Sequence, residues 1–241
     1  MEDTSLAADT AQIVEARSAW FIPIAIVAAG IILALSVYVV RSTAVLGVPE
    51  GDVSALREVS DEDHIIGNPA APVVIIEYAD IDSSYAKSFQ ATMEQLMTEY
   101  APGGQVAWVY RHFPLIDQHR NSMTHAEAAE CAASLGGPDS FWRFISLVQT
   151  LAPGNQQFSP SRYETVIAGL GIDQARFTEC MAAHPFRNRV SNDISNAIAI
   201  GAEGSPYTVI IIRGEKVIPI DGALPYDAMK KVIQEAIAKA Q

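Results

Sequence analysis

The chain has 241 residues and a formal charge of −12, and 49% of its residues are apolar, enough for a sizeable core in one ordinary domain with an appendage or in two small domains. The acidic balance speaks against nucleic acid, whose phosphates it would repel, and leaves no polybasic patch for a membrane surface. Two cysteines, Cys131 and Cys180, are too few for a disulfide scaffold or a common zinc site. They read as one structural bridge or as two separate buried thiols.

After an acidic tail over residues 1–17 comes SAWFIPIAIVAAGIILALSVYVV, residues 18–40, with no charge in it. At about 1.5 Å per residue this run reaches the thickness of a bilayer core, so a single transmembrane anchor is expected over residues 18–41. Trp20 and Tyr38 stand near its ends, where amphipathic rings prefer the interface. A cleaved signal peptide fits poorly, because the run is too long and the preceding tail is acidic. Charge does not settle the orientation, since Arg17 flanks one side and Arg41 and Arg57 the other.

Residues 42–60 read as a linker, and residues 61–241 as the folded domain. VVIIEYAD is a buried strand rich in β-branched residues. Residues 84–100 carry Phe89, Met93, Leu96 and Met97 at helical spacing, and APGG ends that helix. QVAWVYRHF follows as a second strand, so strand, helix and strand form a βαβ unit with parallel strands. A helical insert is predicted over about residues 116–200, beginning with SMTHAEAAECAASLG and DSFWRFISLVQTLA. PYTVIIIRGEKVIPIDG then gives a hairpin, and PYDAMKKVIQEAIAKA a closing amphipathic helix.

This order of elements, with its local motifs, resembles the DsbA-like thiol-disulfide oxidoreductase family of the thioredoxin superfamily. The similarity runs over roughly residues 61–238. It rests on DHIIGNPAAPVVIIEYAD, VAWVYRHFPL, HAEAAECAA, GAEGSPYTVII and IDGALPYDAMKKVI. The resemblance implies an α/β thioredoxin fold with a helical insertion. It also implies a Cys-x-x-Cys at the start of the first helix, where the helix N-terminus stabilises a thiolate. In this chain those four positions are Ser83, Ser84, Tyr85 and Ala86. A serine hydroxyl is hardly ionised near neutral pH and forms no disulfide, and alanine has nothing to resolve with, so the site should be redox-silent. Serine and alanine are the minimal replacements of an engineered variant. Ile81 and Ser84 also depart from the family's usual aromatic and proline, which speaks for natural divergence, and the sequence leaves both origins open.

The resemblance further implies a substrate groove at a cis-proline loop, here Ser205 and Pro206, and a disulfide between Cys131 and Cys180. If formed, that bridge places the domain in an oxidising compartment and the N-terminal tail in the cytoplasm. The expected location is thus a cell membrane, single-pass, with the domain on the periplasmic or outer face. Glu77 stands where such proteins often carry a proton acceptor, although a solvent-facing glutamate on an alternating strand explains it equally well. Tyr85 could contact a partner. No cofactor is implied. The five histidines show no pairing at i, i+3 or i, i+4, so no metal site is read; Arg111 and His112 read as surface or capping residues at a strand end. The expected partners are the membrane and extended polypeptide clients or a membrane protein, with no nucleic acid. The alternative function is a structural subunit or docking body of a membrane complex.

Overall fold

The computed structural model describes residues 51–152, 157–213 and 216–240. The run expected to anchor the chain lies outside them. Among the described residues no helix is long and apolar enough to cross a membrane.

Five strands form one sheet in the order β1-β3-β2-β4-β5. They are β1 (His64–Gly67), β2 (Val73–Ala79), β3 (Val106–His112), β4 (Tyr207–Ile212) and β5 (Lys216–Asp221). The two central strands β2 and β3 are parallel and joined by α1 (Ser84–Tyr100), while the other pairs are antiparallel. Every residue of β2 and β3 is buried, which is why both read as continuous apolar runs. The pleat sends Val73, Ile75 and Trp108 to one face, against Phe89 and Met93 of α1 and Met229 and Ile233 of α7 (Tyr226–Ala240). Val74, Ile76 and Val109 go to the other face, against Ala197 of α6 (Arg187–Ala199).

The insert expected over about residues 116–200 holds, among the described residues, α2 (Ser122–Gly136), α3 (Pro138–Leu151), α4 (Tyr163–Leu170), α5 (Gln174–Ala183) and then α6. Phe141, Phe144, Val166, Ile167 and Phe177 pack in one cluster that also takes in Ala79, Ile81, Ala86 and Tyr110. Cys131 of α2 is bonded to Cys180 of α5, with Cα atoms 6.0 Å apart and 49 positions between them in sequence. A bridge over a loop of that length restricts the unfolded chain by about 4 kcal/mol in the chain-entropy account.

Three features depart from the sequence reading. The lead-in segment contains a strand, β1, too short to show a period of its own. Residues 51–60, read as tether, are seated on the domain. Asp52 N–H donates to Ala199 O at 3.0 Å, and Arg57 reaches Asp63 and Asp193 at 3.1 and 2.8 Å. Gly51 and Gly201 meet backbone to backbone there, at a distance no Cβ would fit. Third, Arg111 and His112 are interior residues with 0% and 1% exposure, not surface or capping ones. Arg111 binds Asp63 with both prongs, at 2.9 and 3.0 Å. It also donates to the Tyr78 hydroxyl (2.8 Å) and to the carbonyls of Arg57 and Glu58 (both 3.0 Å). A buried guanidinium is tolerable because its donors are filled and its charge is matched.

Candidate functional site

The site is built where β2 ends and α1 begins. Ser83 caps α1 from an extended backbone (φ −74°, ψ 125°), its Oγ accepting the Ala86 N–H at 3.3 Å. This is the usual work of serine at a helix start, satisfying an N–H that has no partner inside the helix. The same hydroxyl donates to the carbonyl of Ser205 at 3.2 Å, and the Ser205–Pro206 peptide bond is cis. Ser205 returns the contact by accepting the Asp80 N–H on its Oγ at 2.7 Å. Sequence positions 83 and 205 are thereby locked together.

Ser83 and Ala86 are both buried, whereas Tyr85 is 71% exposed. Tyr85, Glu203, Ser205, Pro206, Asp221 and Ala223 border an open groove of about 620 Å³. The two partners of the Ser83 hydroxyl are a carbonyl and an amide, and neither is a base. A serine held in this way is a cap, not an activated nucleophile.

Beneath the site, Glu77 is fully buried on the face of β2 that α1 covers, so the solvent-facing reading is excluded. Its Oε2 accepts the Trp108 Nε1–H at 2.9 Å, while Oε1 has no partner. Burial pushes its carboxyl up to about 8, against the smaller opposing effect of the Trp108 hydrogen bond. Across the sheet it pairs with Thr208, two residues beyond the cis proline, whose hydroxyl is also without a partner. Glu77 can therefore hold a proton near neutral pH under the start of α1.

Sequence reasoning missed a polar cluster on the other side of the β2–α1 turn. Asp80 accepts from Leu115 N–H, from His119 Nδ1 and from Asp82 N–H, each at 2.8 Å. Asp82 is pushed up to about 7 by burial and then by the neighbouring Asp80 charge. His125 stands between Tyr163 Oη (2.6 Å) and Phe158 O (3.0 Å), with Asp82 Oδ1 at 3.4 Å, and burial brings its imidazole down to about 4. A neutral ring fits these partners, donating to Phe158 O and accepting from Tyr163. The acidic turn ADID was the one available signal; its partners come from the distant insert. A second buried cluster joins His64 and His112, each 3.0 Å from Glu130 Oε1, with Arg189 at 2.9 Å on Oε2. Burial alone would raise the Glu130 carboxyl, but the hydrogen bonds from His112 and His64 outweigh it and hold it far below the usual range. Among the described residues no group of three or more His, Cys, Asp or Glu side chains could hold a metal ion.

The family model Thioredoxin_4, described as thioredoxin, matches residues 59–235. The chain belongs to this thioredoxin family. Its fold is that of DsbA proteins. The α-DsbA1 of Wolbachia pipientis superposes with a TM-score of 0.65 at 20% identity, over 76% of this chain and 94% of that one. The DsbA2 of Pseudomonas aeruginosa gives 0.60 at 23% identity, over 73% and 96%. Oxidised BdbD of Bacillus subtilis gives 0.62 at 19% identity, over 78% and 96%. Curated relatives carry a different name. The chain is 29% identical over 202 residues to Na(+)/H(+) antiporter NhaA 3 of Salinispora tropica, covering 83% of this chain and 29% of that protein. It is 30% identical over 199 residues to Na(+)/H(+) antiporter NhaA 1 of Salinispora arenicola, covering 82% and 28%. The chain thus spans less than a third of the length of these curated relatives.

Within this thioredoxin-family fold, the positions that the resemblance assigned to two sulfurs are the cap of α1 and the buried third residue of its first turn. Beside them stands the cis Ser205–Pro206 bond. The cysteines the chain does have are bonded to each other in the insert, and among the described residues none is free.

Proposed function

We propose that the chain is a membrane-anchored, extracytoplasmic DsbA-like protein that is redox-silent at positions 83–86 and binds extended polypeptide in the groove beside Pro206. The observation that carries this reading is Ser83 at the cap of α1, hydrogen-bonded to the cis-proline loop and linked to no base. A hydroxyl there gives no thiolate to attack a disulfide, and Ala86 offers no sulfur to resolve one. The groove itself needs no sulfur. An exposed aromatic, Tyr85, beside an open groove suits an extended chain. The charge-free residues 18–40 support the anchor. The Cys131–Cys180 bridge supports an oxidising compartment, which would put the N-terminal tail in the cytoplasm.

One observation favours a second reading, a docking body within a membrane complex. The curated relatives are named as antiporters, and the matching stretch is a minor part of each. Affinity purification of the full chain from membranes, native and Tyr85→Ala side by side, separates the two. The first reading predicts polypeptides that are lost from the Tyr85→Ala sample. A stoichiometric membrane partner retained equally by both would sink it in favour of the docking body.

A further inference from the structure

The groove beside Pro206 carries charge of one sign. Glu203 enters it from the loop before β4, and Asp221 from the end of β5; both are exposed. Among the described residues no lysine, arginine or histidine borders the groove. Among the described residues neither carboxylate has a hydrogen-bond or ion-pair partner, unlike Asp80 and Asp82 nearby, which are turned inward to His119 and His125. Tyr85 adds an aromatic ring whose face can take a cation. In the same lining, the Ser205 N–H makes no hydrogen bond to any described residue.

Resting on the polypeptide-binding reading above, we propose that this groove selects extended segments carrying a lysine or arginine. The segment would lie along the cis-proline loop, one of its carbonyls accepting from Ser205 N–H. Its cationic side chain would sit between Glu203 and Asp221 and against the Tyr85 ring. The positive end of α1 opposes a cation here, but it amounts to about half a charge and is outweighed by two full carboxylates. A general pull from the net charge of −12 would not choose a position within the peptide; a local pair of carboxylates does.

The test is calorimetric titration of the full chain in detergent with three nine-residue extended peptides. They differ at one central position, which is lysine, norleucine or glutamate. The lysine peptide should bind about 5-fold tighter than the norleucine peptide at low salt, and the glutamate peptide more weakly than either. In Glu203→Gln/Asp221→Asn the lysine preference should shrink to within about 2-fold, while norleucine affinity holds. Glu164→Gln/Glu179→Gln removes the same charge from exposed sites on the insert and should keep the full preference. Equal binding of lysine and norleucine peptides to the native chain overturns the charge selection and leaves the groove reading standing. So does a preference that survives in Glu203→Gln/Asp221→Asn, or one lost equally from Glu164→Gln/Glu179→Gln. Failure of all three peptides to bind overturns both.

Discussion

Ser83→Cys/Ala86→Cys is expected to catalyse the reduction of insulin disulfides by dithiothreitol at least about 100-fold faster than the native chain. The frame for that chemistry is already in place. A thiol at position 83 would take over the cap position, where the Ala86 N–H points at the side chain 3.3 Å away. The free N–H groups and positive end of α1 would then favour the thiolate and bring its pKa below the usual value of about 8.5. Position 86 is 2% exposed and lies within the first turn of the helix, so a thiol there is shielded from solvent yet close enough to resolve a mixed disulfide. The single variant Ser83→Cys should therefore accumulate mixed disulfides without turnover. Cys131 and Cys180 are committed to each other on the insert and should stay out of the exchange. A folded double variant with two titratable new thiols and no exchange would show that the frame around the helix start lacks more than two sulfurs. Ile81 and Ser84, which depart from the family's usual residues, would be the first places to look.

Glu77→Gln should stabilise the fold at pH 8 by a few kcal/mol and leave it nearly unchanged at pH 4. The folded-state carboxyl titrates at about 8, against an ordinary value of 4.5. A group whose pKa is raised on folding binds its proton more tightly in the native state. Its contribution is fully present below pH 4.5 and is lost as pH rises to about 8. Glutamine keeps the shape and an acceptor for Trp108 but carries no titrating proton, so its stability should not fall in that window. Asp82, raised to about 7, acts with the same sign over the lower part of the range, and comparison of Glu77→Gln with native cancels it. Denaturant midpoints from pH 4 to 9 measure the effect. Parallel pH curves for the two proteins would mean that Glu77 is ionised in the fold at neutral pH, with an unseen partner on Oε1.

The elements that position the site were legible where their information is local. Phe89, Met93, Leu96 and Met97 are spaced for a helix and are the buried face of α1. The strand runs VVIIEYA and VAWVYRH are the two central strands, in parallel register as the βαβ order requires. Resemblance supplied what spacing cannot, the pairing of Cys131 with Cys180 and the proline at the mouth of the groove. What stayed hidden depends on groups that meet only in three dimensions. Arg111 looks like a surface residue until Asp63, 48 positions earlier, and the carbonyls of residues 57 and 58 close over it. His64 and His112 show no helical pairing because they sit on neighbouring strands and converge on Glu130 of the insert. Glu77 was ambiguous because alternation assigns a face to a strand residue but not what covers that face; α1 covers it here. Tyr85 could be singled out as an exposed aromatic, but Glu203 and Asp221 could not, since their charge matters only beside the cis-proline loop.

The central claim is that a site without sulfurs binds extended polypeptide in the groove beside Pro206. An amide NMR titration of the full chain in micelles, with the norleucine peptide, tests it most directly. The account predicts saturable shift changes centred on Tyr85, Gly204, Ser205 and Gly222, abolished in Tyr85→Ala and unaffected by reductant that leaves Cys131–Cys180 closed. Saturable changes confined to other surfaces, or none at these four amides at millimolar peptide, would contradict it.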